Sequence, residues 1–192
     1  MAKVRQLHTE RLTLWVAGPD DAERCVSFNR ENAGFLRPWN PPFSHRSFEL
    51  DAMREARRAA IDDAIAGRRF SFALAHRDAG VDAPILGWAN LSEIVRGVFQ
   101  ACYLGYMLAE KAQGHGYMTE AVRAVTDFAF GDLLLHRIMA NYMPHNERSA
   151  AVLRRAGFTI EGTAKNYLYL DGAWRDHVLT SLTNPKPMAP II

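Results

Sequence analysis

Polar and apolar side chains alternate through residues 11–16, with Leu12, Leu14 and Val16 on one side. That period of two predicts a strand. Gly18-Pro19-Asp20 marks a turn and a helix start, so a short helix is expected over residues 20–29. Three prolines lie between residues 36 and 42, which makes that stretch a stiff, irregular loop. Ser47 is placed to cap a long helix running to about residue 66, and Gly67 to end it. Strands are expected over residues 70–76 and 85–91. Residues 99–108 are apolar on both alternating faces, with Ala101, Tyr103 and Met107 on one and Cys102, Leu104 and Leu108 on the other. A strand of that kind is central and covered on both sides. Met118, Ala121, Val122, Val125, Phe128 and Ala129 then recur at helical spacing. Residues 137–142 read as a strand. Asn146 can cap a helix through residue 156, which Gly157 can end. Residues 158–170 and 174–182 read as a hairpin around Asp171-Gly172. The order is strand, two helices, three strands, helix, strand, helix, two strands. It predicts an α/β fold with about seven strands in one mixed sheet and helices flanking it.

Length and composition narrow the classes without choosing a function. A chain of 192 residues is one ordinary domain, here residues 1–184, followed by a proline-rich tail over 185–192. The net charge of +2 is too near neutral for general nucleic-acid binding. Cys25 and Cys102 have no metal-ligand spacing and read as two reduced thiols. The first residues lack the apolar core of a signal peptide, and no apolar run is long enough to span a bilayer, so a cytoplasmic protein away from membranes is expected. Monomer and homodimer remain equally open.

The candidate chemistry begins at Gln113-Gly114-His115-Gly116-Tyr117-Met118. A glycine-bearing turn between a central strand and a helix aims several backbone N–H groups at one point, where the helix adds about half a positive charge. Such a point suits a phosphate or pyrophosphate. The turn lacks the Gly-Lys-Ser/Thr ending of a P-loop, and it comes after a late strand without a second βαβ half, unlike a Rossmann site. A plain tight turn is the bland alternative.

Together with the segment at residues 146–158, the turn resembles the acyl-CoA motif of the GNAT acetyltransferases, Gln/Arg-x-x-Gly-x-Gly/Ala. Gln113 and Gly116 match, while Met118 stands where Gly or Ala is usual. Asn146-Glu147-Arg148-Ser149 and Ala156-Gly157-Phe158 are similar to the family's second cofactor segment. The run from His136 through Asn146, the run from Asp171 through His177, and Phe35-Leu36-Arg37-Pro38-Trp39 resemble the RimJ-type ribosomal-protein-alanine N-acetyltransferases.

The resemblance implies a GNAT fold, acetyl-CoA as co-substrate and no metal. It implies transfer to the N-terminal α-amine of a protein, in RimJ a small-subunit ribosomal protein. Other acceptors (a polyamine, an antibiotic) and a non-catalytic CoA-binding role in ribosome assembly are the alternatives. By position, the resemblance puts the oxyanion donor in the backbone of Tyr106, Met107 and Leu108, where that strand leaves its neighbour. The diphosphate falls to Gln113, Gly114, His115, Gly116, Tyr117, Met118 and Thr119, and the CoA arm to Asn146. Ser149 is the expected proton donor to the leaving thiolate, although a serine in a first turn also bonds backbone. The position where some relatives carry a glutamate base holds Asn141. Glu93, expected on the turn after a strand, is the candidate base, with a solvated carboxylate as its alternative. Because an α-amine titrates near pH 8, the base has little to do. Trp39 and Tyr167 are expected to line the peptide groove, with Trp39 as a core plug the competing reading.

Overall fold

The computed structural model describes residues 6–80 and 82–186. Eight strands form one sheet in the order β1-β2-β3-β4-β5-β6-β8-β7. They are β1 (Leu7–His8), β2 (Leu12–Val16), β3 (Phe70–His76), β4 (Gly87–Val95), β5 (Ala101–Leu108), β6 (Arg137–Tyr142), β7 (Thr159–Leu170) and β8 (Ala173–Thr183). The helices are α1 (Ala22–Leu36), α2 (Leu50–Ile65), α3 (Tyr117–Gly131) and α4 (Glu147–Arg155). Every neighbouring pair is antiparallel except β5 with β6. The strand beyond the expected seven is β1, two residues long and too short to register as periodicity.

Alternation along the strands sorts side chains between two cores. Leu12, Leu14, Phe70, Phe72, Leu74, Leu91, Cys102 and Leu104 face α3, whose apolar stripe of Met118, Val122, Val125 and Phe128 covers them. Ala73, Trp88 and Met107 face the opposite way, toward α1 and α2, with Cys25, Val26, Phe28 and Met53. The central strand is thus covered on both sides, as its two apolar faces require.

Some boundaries differ from the sequence reading. Helix α1 continues past residue 29 to Leu36, because Asn32 and Leu36 still turn inward. Ser47 does not cap α2. It lies in a 3-10 turn, its carbonyl accepts from Asn29 Nδ2 at 2.9 Å, and α2 begins at Leu50. Gly67 does end that helix region, with φ of 68°. Strand β4 starts at Gly87 and runs on to Val95 through a bulge after Ser92. Asp171 and Gly172 both take positive φ, the turn that the Asp-Gly pair predicts. Asn184 is tied to the body by its N–H, which donates to the His136 carbonyl at 2.8 Å. Most of the expected tail, from residue 187, lies outside the described residues. No helix among the described residues is long and apolar enough to cross a membrane.

Candidate active site

The site begins where two strands part. β5 and β6 pair only over Ala101–Tyr103 and Arg137–Met139, yet both strands continue. Beyond Tyr103 they diverge. Ala109 N–H donates to the Leu86 carbonyl on the β4 side, at 2.7 Å. Strand alternation therefore turns the backbone groups of Leu104, Tyr106 and Leu108 toward the gap. Gln113 Nε2 donates to the Leu108 carbonyl at 3.1 Å, which occupies that acceptor and leaves the Leu108 N–H facing the gap. The glutamine closes the strand end; its amide serves the loop.

Below the gap sits the start of α3. Gly114 and Gly116 have φ of 82° and 79°, a left-handed conformation that only glycine adopts without strain. A Cβ on Gly116 would find ordinary space, with Arg11 Nη2 at 3.6 Å, so its backbone angle and not crowding demands the glycine. The first helical bond runs from Glu120 N–H to the Gly116 carbonyl. The N–H groups of Tyr117, Met118 and Thr119 thus have no acceptor within the helix. Met118 turns its side chain into the core, so this departure from the family pattern leaves its backbone free. His115 is exposed and stacks on Tyr117, the centroids 5.4 Å apart. A 520 Å³ cavity joins this turn to α4, with Arg148 and Arg155 on its far wall.

The turn is held from a distance. Arg11 donates to the His115 carbonyl at 2.9 Å, stacks over Tyr117 and pairs with Glu120 at 2.6 Å. Thr9 Oγ1 also donates to Glu120. Burial pulls the Glu120 carboxyl upward, but the bonds from Thr9 and Arg11 together with Arg11's charge hold it below the usual carboxylate range.

Above, α4 supplies two side chains. Asn146 Oδ1 accepts from Ser149 N–H at 3.1 Å, which fixes the cap and leaves its amide NH₂ facing the cleft. Ser149 Oγ lies 2.7 Å from Tyr106 Oη. Burial pushes the Tyr106 phenol well above its ordinary range, and Ser149 partly offsets this. Tyr106 therefore stays protonated; its O–H also reaches the Ser149 carbonyl at 3.2 Å, and within the hydroxyl pair either oxygen can donate.

The upper cleft, about 360 Å³, crosses the sheet to the side of α1 and the β7–β8 hairpin. Trp39 stands at its mouth, half-buried, tilted against His145 at 5.5 Å. Leu168 and Tyr169 form the opposite rim and are largely exposed. Arg37 ties the two rims by a 2.9 Å bond to Asp171. Tyr167 does not line the cleft but touches two residues that do, Asn141 and His177. A bulge between Ala164 and Leu168 turns it toward Asn141 (3.2 Å), Tyr103 (3.5 Å) and the His177 ring. Asn141, which lines the cleft, donates to that phenol.

Two of the expected positions fall differently. Tyr167 is one, beside the lining residues Asn141 and His177 and not among them. Glu93 is the other: a residue of β4, at the bulge with φ of 50°, exposed and off the cleft wall. The wall carries no carboxylate among the described residues. It does carry His177, 3% exposed, with Nδ1 3.1 Å from the Arg175 carbonyl. A carbonyl only accepts, so that bond puts a proton on Nδ1, and in the neutral imidazole Nε2 is then the acceptor. Reading by motif missed His177, Tyr106's hydroxyl and the Arg11–Glu120 clamp. The two-residue neighbourhood of each is ordinary, His177 standing in a strand between Asp176 and Val178.

A strand that leaves its neighbour, a helix that starts with free N–H groups beneath the gap, and a hydroxyl pair above it define an acyl-CoA-dependent transferase. The chain belongs to the acetyltransferase (GNAT) domain family, whose model matches residues 11–159. It is an N-acetyltransferase, and acetyl-CoA is its acyl donor. The [ribosomal protein uS5]-alanine N-acetyltransferase of Escherichia coli strain K12 is 46% identical over 184 residues, 95% of this chain and 92% of that one. Among solved structures, the ribosomal-protein-S5-alanine acetyltransferase of Vibrio fischeri superposes with a TM-score of 0.89 at 35% identity, covering 95% of this chain and all of the other. RimJ of Mycobacterium smegmatis, in complex with CoA-disulfide, has a TM-score of 0.82 at 28% identity, covering 94% and 86%.

Proposed function

We propose that this protein moves the acetyl group of acetyl-CoA onto the N-terminal alanine α-amine of a ribosomal protein, of the uS5 kind named for its relatives. The observation that carries the reading is the cleft through the sheet. One end presents unpaired helix N–H groups suited to a diphosphate, and the other opens as an apolar rim wide enough for a chain end. The extended similarity to acetyltransferases that act on ribosomal proteins supports the acceptor class. A ribosomal acceptor would place the reaction in the cytoplasm.

Each step then has a residue. Backbone N–H groups of residues 117–119, with Arg148 and Arg155 beside them, hold the diphosphate. Asn146 NH₂ donates to the pantetheine arm. The N–H groups of Tyr106 and Leu108 face the thioester oxygen as it gains charge, where one such donor is worth about 3 kcal/mol. His177 Nε2 takes the proton that the attacking amine sheds, directly or through a water. Ser149, backed by Tyr106, gives a proton to the departing thiolate. With an amine pKa near 8, a neutral imidazole is base enough.

The test pairs two measurements. Purified protein, acetyl-CoA and a peptide beginning with alanine should release free thiol and gain the mass of one acetyl at the α-amine. Ribosomal proteins from cells with and without the protein should differ in one N-terminus by that same mass. Thiol release with a lysine side chain or a polyamine but not with the peptide overturns the acceptor assignment.

A further inference from the structure

On the α1/α2 face of the sheet lies a second cavity of about 520 Å³. Arg57 projects from α2 into it, its guanidinium 5.0 Å over the Trp88 ring. Its Nε–H is sealed from solvent without an acceptor, and no carboxylate among the described residues pairs with it; Asp21 acts on it only through its charge. Taking a guanidinium partly out of water with one donor unmet is costly, and a bound anion offsets that cost. Arg69 lines the same cavity, also without an ion-pair partner among the described residues, and the two like charges face each other. Burial, with Arg69 adding to it, pulls Arg57 below its usual range. The cavity's one carboxylate, Glu55, is already bound to Arg46 at 3.0 Å. The lining therefore carries two positive charges with no anion bound to either.

Its position relates it to the transfer site. Met107 lines both this cavity and the acetyl cleft. Trp88 pairs directly with Met107 across β4 and β5. Directly opposed residues lie about 5 Å apart, and an extended chain advances about 3.3 Å per residue. The Arg57 guanidinium is therefore within roughly three extended residues of the acetyl cleft.

We propose that Arg57 and Arg69 form a carboxylate subsite for an acidic side chain, aspartate or glutamate, within the first few residues of the acceptor protein. The guanidinium's planar fork takes a carboxylate by two parallel bonds, and Trp88 keeps the fork in plane. Acceptor choice then rests on two features, a free α-amine in the cleft and an acid a short chain length away. This rests on the acceptor class proposed above. A free inorganic oxyanion would satisfy the same chemistry, and the test separates the two.

Alanine-initiated peptides carrying glutamate at position three or four are compared with their glutamine counterparts, by turnover and by titration calorimetry, with sodium sulfate as a separate titrant. The wild-type protein should prefer one acidic peptide at least tenfold in kcat/KM and in affinity. Arg57→Gln should abolish that preference, Arg57→Lys should keep part of it, and Arg69→Gln should reduce it. Indifference to glutamate at both positions overturns the subsite, even with both peptides acetylated. So does an equal loss on both peptides in Arg57→Gln, or Arg57-dependent binding of sulfate with no peptide preference. Preferred binding of the acidic peptide with no turnover on either would support the subsite while overturning the transfer to an α-amine.

Discussion

In the proposed reaction Ser149 and His177 divide the proton work between the two sides of the cleft, and each can be removed alone. Ser149→Ala should lower kcat on the order of a hundredfold, the usual scale for one acid or base, with KM for acetyl-CoA little changed. Steady-state kinetics on an alanine peptide reads this, and an unaltered kcat would remove the hydroxyl from the reaction. His177→Gln should lower kcat/KM most at neutral pH. The deficit should shrink as pH rises past the α-amine's own value near 8, where the nucleophile needs no base. A deficit constant with pH would make His177 a packing residue. Tyr167 packs against its ring and takes a hydrogen bond from Asn141, so the two support the ring position.

At the scale of elements, the strand-to-helix turn depends on two glycine angles and one distant clamp. Gly116→Val must accept φ near 79° and should lose roughly 1–3 kcal/mol through strain alone. KM for acetyl-CoA should rise at least tenfold as the N–H groups turn away, while Gly116→Asn should be milder because asparagine tolerates that region. Glu120 anchors the same turn from α3. Its folded-state carboxyl lies below the unfolded value, so its contribution to stability is complete above about pH 4.3 and is lost as pH falls through the depressed value. The Tm of the wild type should therefore drop more steeply below about pH 4.5 than that of Glu120→Gln. Equal slopes in a thermal melt series would deny the clamp.

At the scale of the molecule, the sheet separates two cores, and each buries one thiol. Burial pushes Cys25 up to about 11 and Cys102 up to about 12. Neither should react with a thiol reagent at pH 8 in the folded protein, whereas both should react in denaturant, as mass spectrometry of the alkylated chain would show. Rapid labelling of either in the native state would contradict the packing. The cleft itself is a whole-molecule feature. It exists because β5 and β6 pair over three residues and then part, and because Arg37 joins the loop after α1 to the hairpin tip at Asp171.

What could be read from the chain was local. Gly114 and Gly116 announced a turn, Asn146 announced a cap three residues before Ser149, and Asp171-Gly172 announced a hairpin, because each sets backbone angles through its immediate neighbours. Strand-like runs and the helical spacing after Met118, with turn and cap signals for the other helices, placed seven of the eight strands and all four helices for the same reason. Boundaries failed where distant contacts decided them. Asn29 took the Ser47 carbonyl, and inward-facing Asn32 and Leu36 prolonged α1. The partnership of Tyr106 with Ser149, the Arg11 clamp, the aim of His177 and the unmet charge of Arg57 were decided by tertiary structure alone. Each depends on segments that the fold brings together, and which side chains meet there comes from strand order and register, quantities that no single stretch of sequence contains.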